Sequence, residues 1–141
     1  MPFKFEGINY LAVVTAGLAT FFLGAVWYTA LFGKMWVQLT GYSDEKLKQL
    51  QAKRPPAFFF GGMIVCYLIM SFAVAVLVRS LSLASPIEGA QLGLILWVGF
   101  AATIGFTSHL ASDRHIGIYL IDAGYQLVYL LLMGALIGGW R

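Results

Sequence analysis

The chain has 141 residues, of which 60% are hydrophobic and only 11% charged, with a formal net charge of +3 and a mean hydropathy of +0.83. Its charges fall in short intervals between long apolar runs, which excludes an ordinary soluble domain and is the pattern of a polytopic membrane protein. The basic balance does not point to nucleic acid, because the basic residues border apolar spans, where they set orientation.

The lead MPFKFEG (1–7) offers Phe3 and Phe5 to the interface and Lys4 and Glu6 to water. The first apolar run, about 9–32, is too long for the core of a secretory signal and lacks a small-x-small cleavage site, so it reads as a retained span. It reaches roughly 36 Å, enough to cross with some tilt. Ala12, Ala16, Thr20 and Gly24 recur every four residues along it, a small-residue face that lets another helix approach closely. Trp27, Tyr28 and Trp36 are expected to form an aromatic belt at the far interface.

Residues 34–56 are the one substantial polar interval. Ser43 is placed as an N-cap, Asp44 and Glu45 fill the first turn, and Lys46, Lys48 and Lys53 follow, the charge order a helix dipole favours. The spacing predicts a short surface helix over about 44–52, stopped by Pro55 and Pro56. Its lysines read as a solvated cytoplasmic face in preference to a site for anionic lipid. The second span, about 57–78, is closed by Arg79 and is assigned no chemistry. Cys66, the single cysteine, is expected as a small core residue. The turn SLSLASP leads into the third span, about 87–109, where Gly89 and Gly93 are spaced for close packing and Ala101, Gly105 and His109 repeat every four residues.

The last span, about 116–139, is apolar yet polar along one line. His115, Tyr119, Asp122, Gln126, Tyr129 and Met133 follow one another by steps of four and three, which sets them on one helical face. An ionisable side chain in hydrocarbon costs at least ~2.5 kcal/mol, so this stripe should face protein or water. We expect a polar pocket opening on the cytoplasmic side, with His115, Tyr119 and His109 at the mouth, Asp122 one to two turns deeper, and Gln126 and Tyr129 near mid-span. Such a pocket would take a proton or a small polar solute. The competing view is that Asp122 bonds Gln126 or a neighbouring tyrosine and merely pins helix packing.

No metal or other cofactor is expected. His115 and Asp122 lie about 10.5 Å apart along a helix axis, too far to share an ion, and no HExxH or paired-Cys motif is present. Two His near one membrane edge are no better as haem ligands. Ser108, His109 and Asp113 have the residue types of a hydrolytic relay, but they crowd one tight turn.

GAVWYTALFGKMWVQLTGYSDE, across the end of the first span, and LIDAGYQLVYLLLMGALIGGW, the last span, resemble the domain of unknown function 1761 family of bacterial and fungal membrane proteins. The resemblance covers nearly the whole chain and implies four spans, with the bacterial inner membrane as the expected location, but no activity. It also implies that Asn often stands where this chain has Asp122, so that a hydrogen-bonding group suffices there.

The expected architecture is therefore all-α: a single domain, 1–141, built as an integral membrane bundle of four transmembrane helices with a short cytoplasmic surface helix. The first and third connections carry Lys34, Lys46, Lys48, Lys53, Arg54 and Arg114, against Lys4, Arg79 and Arg141 on the other side. Both termini should then be external. The leading functional expectation is an interaction or accessory membrane protein that forms a homo-oligomer, or joins a larger complex, through its small-residue faces. The alternative is a small-solute or proton transporter using the stripe around Asp122, and the third class is a membrane-embedded enzyme.

Overall fold

A computed structural model describes residues 2–140. Among these residues the chain is helical without strands, and four helices are long and apolar enough to cross a membrane: Tyr10–Leu31, Pro56–Ser80, Pro86–Leu110 and Ile116–Gly139.

Helix α1 (Tyr10–Val26) starts on Asn9, whose side-chain oxygen accepts from the Ala12 N–H at 3.1 Å, the usual service of an N-cap. The Asn9 amide also donates to the Trp140 carbonyl at 3.2 Å, tying the start of the first span to the end of the last. The span finishes in a π-helical turn, Trp27–Leu31. Helix α2 (Gly33–Thr40) follows and ends at Gly41, whose φ of +70° is a left-handed C-terminal stop. No helix was expected there. Trp36, Val37 and Leu39 are half-buried, which gives this stretch of the polar interval an apolar face of its own.

Helix α3 (Asp44–Lys53) is capped by Ser43, which accepts from the Lys46 N–H at 3.2 Å. Helix α4 (Pro56–Ser80) opens with proline in its first turn, where the missing N–H costs nothing. The third span joins α5 (Pro86–Leu96), a second π-helical turn (Trp97–Ala101) and α6 (Ala102–Leu110). At its start Ser85 accepts from the Glu88 N–H at 3.2 Å while the Glu88 carboxylate accepts from the Ala84 N–H at 2.7 Å. This variant of a capping box ties the Glu88 carboxylate to the start of its own helix. Helix α7 (Ile116–Gly139) completes the chain.

α7 is the hub, packing against α1, α4 and the whole third span. α1, α4 and α7 enclose the core, where Thr20, Ser71, Val74 and Met133 are fully buried. Buried hydroxyls are satisfied by backbone: Ser71 donates to the Val13 carbonyl at 2.9 Å, and Thr20 to the Ala16 carbonyl at 2.9 Å. Ala12, Ala16, Thr20 and Gly24 are all buried on this side of α1, with Gly24 under the Tyr125 hydroxyl.

The third span leans on the outside of α7 in an uneven way. At one end backbone lies on backbone: a Cβ on Gly89 would overlap the Gly134 carbonyl oxygen, and one on Gly93 would overlap that of Leu130. Further along the same pair, Trp97 and then Tyr119 stand between the helices. The two helices thus form a wedge, shut by glycine at one end and held apart by aromatic rings at the other. Ala12, Ala16, Thr20 and Gly24 of α1 and Gly89 and Gly93 of α5 are thus covered by the chain's own helices.

Cys66 is not in the core but exposed on the outer side of α4. α4 is apolar all round, so its hydropathy does not reveal which side is buried; that side carries Tyr67, Ser71, Val74, Ala75 and Val78.

Candidate functional site

The backbone around Asp122 is gripped from two sides. The Trp27 indole N–H donates to the Ile121 carbonyl at 3.1 Å, and the Trp97 indole N–H donates to the Ala123 carbonyl at 2.8 Å. Each tryptophan opens one of the two π-helical turns. Such turns shift a helix out of its regular register and recur at functional positions; here they occur at the two indoles that flank one carboxylate. Tyr28, next to Trp27, donates its hydroxyl to Asp122 Oδ1 at 2.5 Å.

Asp122 remains half-buried because two cavities reach it. The smaller, about 300 Å³, lies between α6 and α7 and is bordered by Gly105, Ser108, His109, Arg114 and Tyr119. The larger, about 540 Å³, lies under α2 and α3 against α4 and α7, bordered by Trp36, Arg54, Met63, Tyr67 and Tyr129. Asp122 and Gln126 line both, so the two cavities form a fork that meets at this pair. Their outer walls include Arg114 and Arg54, which belong to the two basic connections. Beyond Tyr129 the interior is closed by Leu130 and Met133. A separate hollow of about 110 Å³ at the opposite end, beside Gly7, Arg79 and Trp140, shares no residue with the fork.

The floor of the larger branch is aromatic. Tyr125 lies 4.9 Å from Tyr129 and 5.4 Å from Tyr28 between ring centroids, and Tyr67 lies 5.7 Å from Tyr129. Tyr125 turns its hydroxyl away, donating to the Thr20 carbonyl at 2.6 Å.

Of the stripe expected on α7, Tyr119, Asp122, Gln126 and Tyr129 border the fork, and His109 joins them from α6. Tyr119 is also structural: its hydroxyl donates to the Ala102 carbonyl at 2.7 Å, its ring packs 5.9 Å from the His109 ring, and Gly105 leaves room for it. Ala101 lies half-buried at the edge of the core. His115 does not belong to the mouth. It is the N-cap of α7, its Nδ1 accepting from the Gly117 N–H at 2.9 Å, and it borders neither cavity. A cap residue has extended backbone angles, so its side chain leaves the face that helical spacing assigns to it. Met133 belongs to the core.

Several residues were missed. Trp27, Tyr28 and Trp36, expected as an interfacial belt, turn inward: Tyr28 is the partner of Asp122, Trp27 grips α7, and Trp36 walls the larger branch. Tyr67, assigned no chemistry, borders the same branch. The usable signal was demand: a carboxylate in an apolar span needs donors, and phenols and indoles at matching depth supply them. Among the described residues no group of three or more His, Cys, Asp and Glu gathers closely enough to hold a metal ion.

The sequence profile of the family described as Protein of unknown function (DUF1761) matches residues 11–138. No curated protein and no solved structure matches the chain.

Proposed function

Because the chain belongs to the DUF1761 family of proteins of unknown function, a description that carries no activity, we propose its function from the site itself: binding and transport of a molecule whose hydroxyl- or amine-bearing polar part seats against Asp122 and Gln126. The observation that carries this is the pair of cavities converging on those two side chains. A carboxylate kept only to pin helices needs a donor from a neighbouring helix and no space beside it, and Tyr28 alone would meet that need. Space on both sides of an intramembrane carboxylate is instead what a ligand requires. About 540 Å³ is also far more than a proton needs, which favours a solute.

The chemistry of the walls narrows the solute. Asp122 and the amide oxygen of Gln126 accept hydrogen bonds, and the phenols of Tyr28, Tyr67 and Tyr129 both donate and accept. Hydroxyl- or amine-bearing molecules suit this set. With six of the nine Lys and Arg residues on the connections beside the fork, we assign its mouth to the cytoplasm, both termini to the outside and the membrane to the bacterial inner membrane. A fork open at one end with packed helices at the other suits one end state of an alternating carrier; the second state would need the glycine end of the wedge to loosen.

The test is uptake of a panel of small polar solutes and hydroxyl-bearing lysolipids by proteoliposomes holding the wild type, Asp122→Asn or Asp122→Ala. Asp122→Ala should lower uptake of the accepted solute at least tenfold, and Asp122→Asn, which keeps an acceptor, should retain part of it. Equal uptake by all three proteins would refute the proposal.

A further inference from the structure

The larger branch of the fork is not bounded by protein on all sides. Beside it a groove of about 500 Å³ runs down the outer face of α4, and the two share Arg54, Phe59, Met63 and Tyr67. The groove's remaining walls are apolar apart from Lys53 at its upper end, and from Pro55 to Tyr67 it follows the helix for roughly 18 Å. Gly62 makes its floor, with no atom within 4 Å of where a Cβ would stand. The Arg54 guanidinium sits 4.7 Å from the centre of the Phe59 ring, which holds a cation at the junction of groove and branch.

We infer that the ligand is an anionic amphiphile of the phospholipid class: its hydrocarbon chain lies in the α4 groove, its phosphate meets Arg54 and Lys53, and its hydroxyl-bearing head turns into the fork toward Asp122. This deepens the proposed function and rests on Asp122 receiving the polar end of the ligand. Three observations converge on it. The groove is apolar along its length and cationic only at the level of the chain connection, which matches the order of parts in a phospholipid. The groove and the branch are continuous through shared residues, so a molecule in one extends into the other. The carboxylate lies past the cation, where it disfavours the phosphate and favours the hydroxyls beyond it. The ligand enters sideways from the bilayer, past Phe59 and Met63, without crossing water.

The probes are lysophosphatidylglycerol, lysophosphatidylcholine and glycerol phosphate, titrated into the detergent-solubilised full chain and read by native mass spectrometry. Lysophosphatidylglycerol should bind at least tenfold tighter than either of the others. Arg54→Gln should remove most of the preference over the choline lipid. Gly62→Leu, at an exposed position that accepts a larger side chain, should fill the groove, weaken lysophosphatidylglycerol at least tenfold and leave the melting temperature at or above that of the wild type. Equal binding of the two lysolipids, glycerol phosphate binding as tightly as the lipid, or unchanged lipid binding in Gly62→Leu would each overturn the inference. Asp122→Ala separates the two levels. If it keeps full lipid binding while Arg54→Gln and Gly62→Leu lose it, the groove stands and a polar site at Asp122 falls. If it loses solute uptake while Gly62→Leu keeps it, the site stands and the sideways entrance falls.

Discussion

Replacing Gly89 by alanine tests the wedge directly. The added Cβ would overlap the Gly134 carbonyl oxygen and come within 3.2 Å of the Gly138 Cα. Both obstacles are backbone, so no side chain can swing aside, and ordinary contact begins only at 3.4 Å. The helices must part by well over an ångström at this end. A gap of that size forfeits at least about half of each dispersion contact it opens, and overpacking of this kind costs about 1–3 kcal/mol. Alanine regains about 1 kcal/mol over glycine in helix propensity, leaving a net loss of up to about 2 kcal/mol. Gly61→Ala is the control, since nothing lies within 4 Å of its missing Cβ and only the propensity gain applies. Thermal unfolding in one detergent should move the two variants in opposite directions, Gly89→Ala down and Gly61→Ala level or up. If Gly89→Ala melts with or above the wild type, the close approach of α5 and α7 is wrong.

Tyr28→Phe removes the one donor that Asp122 has among the described residues and should cost about 0.5–1.5 kcal/mol of unfolding free energy, the range for an ordinary hydrogen bond; denaturant titration in bicelles checks it. Gly24→Ala brings a Cβ to 2.6 Å from the Tyr125 hydroxyl oxygen, and should destabilise by about 1–3 kcal/mol, with Tyr125→Phe recovering part of the loss in the double variant. His115→Asn keeps a cap acceptor and lies outside both cavities, so stability should change by less than about 0.5 kcal/mol and solute uptake not at all; a fall in uptake would return His115 to the site.

The membrane-spanning character was legible because it depends on the sum of transfer energies over a window, to which every residue contributes regardless of the direction it faces. Orientation about the helix axis is a different quantity. In α4 it has almost no trace in the hydropathy pattern, because lipid and protein interior are equally apolar to Cys66 and to Val74. Polar residues inside a span do carry such a trace, which is why Asp122, Gln126 and Tyr119 could be placed on one line of α7. The same logic failed at His115, where the helix had not yet begun, and at Tyr28, whose amphipathic ring satisfies an interface as well as it satisfies a buried carboxylate. The π-helical turns were not legible at all: each opens at a tryptophan whose indole bonds another helix, and local spacing holds no record of that tertiary contact.

The paired indoles have one more consequence. Of the four tryptophans in the chain, Trp27 and Trp97 are fastened to the carbonyls on either side of Asp122, so their excited states sense the stretch of α7 that carries the carboxylate. A tilt of α7 that loosens the glycine end, or a ligand that rearranges the fork, changes the polarity around both rings together. With Trp36 and Trp140 replaced by Phe, the ultraviolet emission of these two indoles should report changes around Asp122 with no dye attached.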